Sequence, residues 1–401
     1  MQTSITDTNN PAIAEADAIL RSCVHCGFCT ATCPTYQLLG SELDSPRGRI
    51  YLIKEMLETG QATDKTRLHL DRCLTCRSCE TTCPSGVRYG RLIDIGREIV
   101  EEYAPRPLGE KLLRRAMLTF IPHTSRMSKL LSAARMARPL LPKNLQSKIP
   151  PKQKRALITA GSHARRMLAL SGCVQPLTAP NTNAAAARVL DKLGISLITA
   201  QKAGCCGALN QHLSDAEGAR EMMRNNIDAW WPHIENGIEA IVMTASGCGL
   251  MVKEYGHALK DDADYAEKAA RISELTLDLS EVISRENIDS LSNIGHGTLV
   301  ACQSSCTLQH GQKLSGKVEA ILQRCGYELT QVADSHLCCG AAGTYTLTQP
   351  ELSERLLNNK LAALHTGQPE IIATANVGCQ LHLASKASVP VVHWIELLEP
   401  K

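Results

Sequence analysis

The chain has 401 residues, 44% of them apolar and only 3% aromatic, enough for two or three domains with aliphatic cores. A net charge of +3 makes no case for nucleic acid. Eighteen cysteines in so long a chain, with no leader-like start and no apolar run near the ~18 residues of a membrane span, argue against a disulfide framework and for thiolates holding metal in a reducing, cytoplasmic setting.

In chain order, "NPAIAEADAILRSC" opens with Pro11 and spaces Ile13, Ala16 and Leu20 for a helix. "CVHCGFCTATCP" (23 to 34) follows, spaced C-x2-C-x2-C-x3-C-P, and "CLTCRSCETTCP" (73 to 84) repeats it. Between them, "SPRGRIYLIKEMLETG" (45 to 60) predicts a helix capped by Ser45, opened by Pro46 and ended by Gly60. This spacing is that of bacterial two-cluster ferredoxins, in which the fourth cysteine serves the other cluster. Cys23, Cys26, Cys29 and Cys83 are therefore assigned to one [4Fe–4S] cluster, and Cys73, Cys76, Cys79 and Cys33 to the other. Zinc is the alternative for C-x2-C pairs, but two complete quartets with trailing Pro would waste ligands. His25 is expected as a solvent-side neighbour. Arg47 and Arg49 are either near a cluster or on a solvent face at a helix start.

From 105 to 166 the chain holds fifteen Lys or Arg and one acid, Glu110. "KLLRRAMLTF" and "SRMSKLLSAARMARPLL" are amphipathic at helical spacing, and Pro-rich 141 to 154 reads as a linker. Two readings compete here: a solvated basic face over a core stripe, or a dock for an anionic membrane surface or an acidic partner.

From 167 onward the sequence repeats. Cys173, Cys205 and Cys206 map onto Cys306, Cys338 and Cys339 at an offset of 133, each set spelling C-x31-C-C-G. Each half closes on Gly-Cys, at Cys248 and Cys379. Strand-like "MLALSGC", "ISLITA" and "AIVMTA" match "VACQSSC", "YELTQV" and "EIIATA", with helices between. This alternation predicts two α/β units with parallel sheets. Adjacent cysteines face opposite ways in a strand, so each pair is expected on a loop that its glycine relaxes, at the C-terminal end of a strand. Gly247 and Gly378 are expected to let the backbone approach a cluster or ligand. Whether Cys173, Cys205, Cys206, Cys248, Cys306, Cys338, Cys339 and Cys379 hold an additional metal or redox centre or are structural thiols stays open on these grounds. Cys302 and Cys325 read as buried small hydrophobes. The expected division is a mainly α-helical ferredoxin-type domain (1–104), a basic helical linker (105–166), and two Cys-Cys-Gly domains (167–295 and 296–401), α+β overall.

Together, "CVHCGFCTATCPTYQ", "SPRGRIYLIKEML", "CLTCRSCETTCPSGV", "GCVQP", "CCGAL", "CTLQHGQ" and "CCGAAG" resemble the iron–sulfur subunits of bacterial glycolate oxidases, which are glycolate dehydrogenases. The resemblance implies two [4Fe–4S] clusters on this chain and FAD on a partner subunit that oxidises glycolate to glyoxylate. It implies electron relay toward a quinone, no activity in the isolated chain, no nucleic acid, and a peripheral place on the cytoplasmic face of the inner membrane. Relatives serving lactate or glycerol-3-phosphate oxidation, or a stand-alone reductase of the heterodisulfide kind, are the alternatives. The wider family often ends each half in C-x-x-C. Here Ala245 and Asn376 take the first position, which argues against the five-cysteine sites of heterodisulfide reductases.

Overall fold

The computed structural model describes residues 1–5, 9–140, 146, 149–153 and 161–399. Of the expected linker, residues 141–145, 147, 148 and 154 lie outside these. The N-terminal part is helical around the helices Pro11–Ser22, Pro46–Thr59 and Tyr89–Tyr103. The Ser45 hydroxyl accepts from Gly48 N, and Gly60 ends that helix in the left-handed region, as the sequence predicts. Ile13, Leu20, Ile53, Met56, Leu92 and Val100 interlock as one core. Each fully buried aliphatic side chain contributes roughly 2 kcal/mol. Gly48 is required for the fit: a Cβ there would lie 2.0 Å from the Glu42 carbonyl oxygen.

The basic stretch forms two helices, Leu108–Phe120 and Thr124–Ala137. Their root is fixed by Arg106, which bonds Asp71 (Nη2–Oδ1 2.8 Å) and Glu101 (2.6 Å), and by Arg114 on the same Asp71 (3.1 Å). Beyond the root, each helix buries little: Met117 in the first and Leu131 in the second. Leu108 (78% exposed), Leu112, Leu113, Phe120, Leu130, Met136 and Leu140 face out. The inward stripe is thin, Met117 and Leu131 with the part-buried Leu118, Ile121 and Met127, and further apolar side chains stand among Lys111, Arg115, Arg126 and Lys129 on the surface.

The repeat folds as two four-stranded parallel sheets of identical topology. Strands β1 (Arg165–Ala169), β2 (Ile195–Thr199), β3 (Ile241–Met243) and β4 (Thr276–Asp278) stand in the order β2-β1-β3-β4. Strands β5 (Leu299–Gln303), β6 (Glu328–Leu329), β7 (Ile371–Thr374) and β8 (Val391–His393) stand as β6-β5-β7-β8. The fourth strand of each sheet, three residues long, has no periodicity for sequence reading to find. The repeats are not separate globules. Val189, Leu190 and Val242 of the first share a core with Val300, Leu322 and Trp394 of the second. Cys302 and Cys325 are buried there, as expected.

His393 fastens the repeats: its Nε2 donates to the Thr244 carbonyl at 2.8 Å, and its Nδ1 accepts from Ile395 N. Burial pushes this imidazole down to about 4 from 6.5. Between those values the unfolded chain binds a proton that the folded one refuses, so stability falls as pH drops from 6.5 toward 4. The gap is worth about 3 kcal/mol. Melting temperature measured from pH 7 to 4.5 should therefore fall less steeply in His393→Gln than in the parent; equal slopes would remove His393 from the account.

Candidate metal centre

The two ferredoxin-type motifs wrap identically. In each C-x2-C-x2-C stretch the same two places have positive φ: His25 (57°) and Gly27 (83°) in the first, Thr75 (52°) and Arg77 (59°) in the second. Left-handed residues at these steps curl the backbone around a point, at about 1–2 kcal/mol for each non-glycine. A short helix follows, Phe28–Ala31 or Ser78–Thr82, and then Cys33 (ψ 112°) and Cys83 (ψ 114°), extended ahead of proline.

Two cavities result. One is lined by Cys23, Cys26, Cys29 and Cys83, and by Cys79, which lines both. The other is lined by Cys73, Cys76, Cys79 and Cys33. Three cysteines of one motif thus meet the fourth of the other in each. The donor set fits a cationic cluster. Burial pushes the Cys29 thiol up to about 11, with Cys23, Cys33 and Cys83 adding to the rise; burial also raises Cys76 and Cys79. Bare thiolates are not sustained there without positive charge. His25 lines the first cavity and is half-buried, not solvent-side; its ring packs against that of Tyr51 at a 41° tilt, centroids 4.6 Å apart. Both its ring nitrogens are buried without a partner among the described residues. Among those residues no three His, Cys, Asp or Glu converge as a single ion requires.

Both arginines of "SPRGR" are near the cysteines. Arg47 lines the first cavity and pairs with Glu42 at 2.7 Å. Arg49 lines the second and is 1% exposed. It donates to the His69 carbonyl (2.7 Å) and Thr35 Oγ1 (3.1 Å), and lies 3.5 Å from Asp44. Arg97 donates to the Cys73 carbonyl at 2.5 Å, and the Tyr89 hydroxyl lies 3.8 Å from Cys73 Sγ.

The repeated cysteines gather at the C-terminal ends of three adjacent strands in each sheet. Cys173 follows β1 and Cys306 follows β5; the Cys-Cys pairs sit on loops after β2 and β6. Cys248 and Cys379 lie in the first turns of helices Ser246–Lys253 and Val377–Ala384. The thiols form the same chain of contacts twice: Cys173–Cys205–Cys206–Cys248 and Cys306–Cys338–Cys339–Cys379. Cys306 and Cys338 are 4.0 Å apart. Hydrogen bonds from Cys173 and Cys306 hold Cys205 and Cys338 well below the ordinary thiol range. Each pair turns on its glycine, Gly207 (φ 89°) and Gly340 (φ 88°). Gly247 and Gly378 stand just before Cys248 and Cys379. A Cβ on either would lie 3.4 Å from the Asn376 amide, which accepts from Gly247 N (3.3 Å) and donates to Cys379 Sγ (3.6 Å).

A 4Fe-4S dicluster domain matches residues 19–87, and a cysteine-rich domain matches 167–253 and again 300–384. The glycolate oxidase iron–sulfur subunit of Escherichia coli K12 is 56% identical over all of this chain and 98% of its own length. The probable counterpart in Bacillus subtilis 168 is 32% identical over 94% of this chain and 93% of its own. Lactate utilization protein A of Bacillus licheniformis is 24% identical over only 57% of this chain, though 97% of itself. The chain belongs to the family of glycolate oxidase iron–sulfur subunits.

This family member also has contacts that sequence reading missed, and they dock the ferredoxin-type part onto the repeats. Arg77 forms a bidentate ion pair with Glu254 (Nη2–Oε2 2.9 Å). The signal available in the sequence was an arginine at the place Gly27 holds in the first motif. Thr81 donates to His310 Nδ1 (2.9 Å), whose Nε2 donates to the His336 carbonyl (2.9 Å). Leu74 and Cys76 pack in one apolar cluster with Cys338 and Cys306, so the second cavity adjoins the second repeated quartet.

The turn at Gly340 yields a sharp prediction. A Cβ there would be 2.8 Å from the Ser353 carbonyl in an already left-handed residue. Gly340→Ala should lower the melting temperature by an amount matching about 1–3 kcal/mol, whereas Gly316→Ala, also left-handed but with nothing within 4 Å, should cost clearly less.

Proposed function

We propose that this chain is the iron–sulfur electron-transfer subunit of a glycolate dehydrogenase complex. The observation that carries the reading is the crossing of the two motifs: each cavity takes three cysteines from one and the fourth from the other. In this reading Cys23, Cys26, Cys29 and Cys83 hold one [4Fe–4S] cluster, and Cys73, Cys76, Cys79 and Cys33 hold the second. The repeated quartets hold a further centre. Residues 1–104, 105–166, 167–295 and 296–401 keep their separate roles. The bound clusters would supply one-electron chemistry between an FAD subunit, which oxidises glycolate to glyoxylate, and a quinone acceptor.

The chain's own residues prepare those places. Positive φ at His25, Gly27, Thr75 and Arg77 curls the backbone that presents the cysteines to the two cavities. Arg49 supplies a buried fixed cation beside Cys33 and Cys73, where negative charge accumulates on reduction. Arg77 and His310 fix the ferredoxin-type part against the repeats, so the spacing between centres is built into the fold.

Anaerobic purification of the complex tests this reading. Iron, not zinc, should accompany the chain, the signals of the two ferredoxin-type clusters should appear in low-temperature EPR on reduction beside that of the further centre, and a flavoprotein should copurify. The complex, not the isolated chain, should turn over glycolate when glycolate, lactate and glycerol-3-phosphate are offered in turn. Zinc in place of iron, or turnover by this chain alone, would overturn it.

The same reading lays the helices Leu108–Phe120 and Thr124–Ala137 on the anionic cytoplasmic face of the inner membrane. No helix among the described residues is long and apolar enough to cross a membrane. The outward stripe of Leu108, Leu112 and Phe120 with flanking Lys111 and Arg115 suits the headgroup boundary. Leu112→Glu with Phe120→Glu should abolish cosedimentation with phosphatidylglycerol vesicles and leave cluster EPR unchanged. Parent binding should weaken as salt is raised; equal binding to neutral vesicles would count against an electrostatic component.

A further inference from the structure

The two Cys-Cys-Gly quartets come from one duplicated unit, so a difference at equivalent places is informative. Packing fixes which places are equivalent. A Cβ on Gly207 would meet the carbonyl oxygen and Cα of Ala219, and one on Gly340 those of Ser353. Seven residues further along the same helices, Ala216–Glu235 and Pro350–His365, stand Asn226 and Lys360. Both are buried, at 0% and 4% exposure.

Both hold the loop that delivers a cysteine pair. Asn226 accepts from Gly204 N (2.8 Å) and donates to the Cys205 carbonyl (2.8 Å). Lys360 Nζ donates to the carbonyls of Asp334 (2.9 Å) and Ser335 (3.4 Å). A neutral amide is thus sufficient for the loop. Loop-holding does not explain an ammonium, whose burial costs several kcal/mol unless negative charge offsets it. Burial lowers the pKa of Lys360, and Cys339, Cys338, Asp334 and Cys306 are the neighbours that oppose this fall when they carry negative charge, as they would when ligating a cluster. The first quartet has no matching buried cation on that helix; the basic group that reaches Cys205 is His123, which is exposed and screened by water.

We propose that Lys360 is a fixed counter-charge that makes the second quartet the electron-accepting member of the pair, while the first has the neutral Asn226 in the equivalent place. The proposal rests on the reading that the second quartet holds an iron–sulfur centre. A positive charge in a low-dielectric site favours the form of such a centre that carries one more electron. Placement agrees. The second quartet shares an apolar cluster with Leu74 and Cys76 at the second cavity. The first lies under the basic helices, where Thr124 Oγ1 donates to the Cys173 carbonyl at 3.4 Å.

The test is a dithionite titration of the full chain, reconstituted anaerobically and followed by EPR. Lys360→Met should lower the midpoint potential of the third centre and leave the two ferredoxin-type centres unmoved. Lys360→Arg, which keeps the charge, should stay near the parent. Should Lys360→Met fail to fold, Lys360→Asn copies the first repeat and carries the same readout. Cys306→Ser should remove the third signal and Cys173→Ser should not. An unmoved third potential on loss of the charge, or a third signal lost with Cys173 and kept without Cys306, overturns the proposal. Iron for only two clusters in the parent and both serine variants instead brings down the reading of the second quartet as an iron–sulfur site, and the charge proposal falls with it.

Discussion

Thiolates concentrated away from water need positive charge, and much of this structure answers that need. Sixteen of the eighteen cysteines belong to four quartets, and burial together with neighbouring cysteines holds several of them in the thiol form. The metal supplies most of the compensation when bound, but the fold contributes its own. Arg49 and Arg97, at 1% and 5% exposure, sit behind Cys33 and Cys73. Arg49 is itself steadied by Asp44, which also receives His69 (3.0 Å) and Arg72 (3.1 Å). Such a network is costly to bury and tolerable only because nearly every member is paired. Its position beside one cavity, where the other is lined by the half-exposed Arg47 and has the N-terminal ammonium on the Cys23 carbonyl, makes the two centres electrostatically unequal.

The same logic separates the duplicated quartets. The scaffold is conserved between repeats down to the order of thiol contacts and the left-handed glycine after each pair. What differs is what surrounds them: Asn376 against Ala245, and Lys360 against Asn226. Duplication gives two copies of a geometry, and single substitutions near it change the charge and hydrogen bonding that each copy experiences. Asn376 also joins the copies, because its amide touches Cys379 on one side and the helix start that carries Cys248 on the other.

The basic stretch shows why composition alone left two readings open. An amphipathic pattern states that apolar side chains share a face; it does not state which way that face looks. Here the outward face carries the leucines, because the inward contacts are made by Arg106, Arg114, Met117 and Leu131 instead. Burying arginine at the root and exposing leucine along the length inverts the usual arrangement of a surface helix, and it suits an interface with something other than water.

The sequence by itself determined the two cluster motifs, the capped helix between them, the duplicated parallel-sheet units and the loop placement of each Cys-Cys-Gly. All of these are written in short spacing: a turn that curls around a cluster, a cap or a relaxed loop is decided within a few residues. Tertiary structure alone decided the rest. Thr81 meets His310, Arg77 meets Glu254, and Lys360 stands where Asn226 stands in the other repeat, yet no local pattern marks these partners. They are chosen by how separately formed elements pack, and shape and charge complementarity across long stretches of chain leaves no period to read.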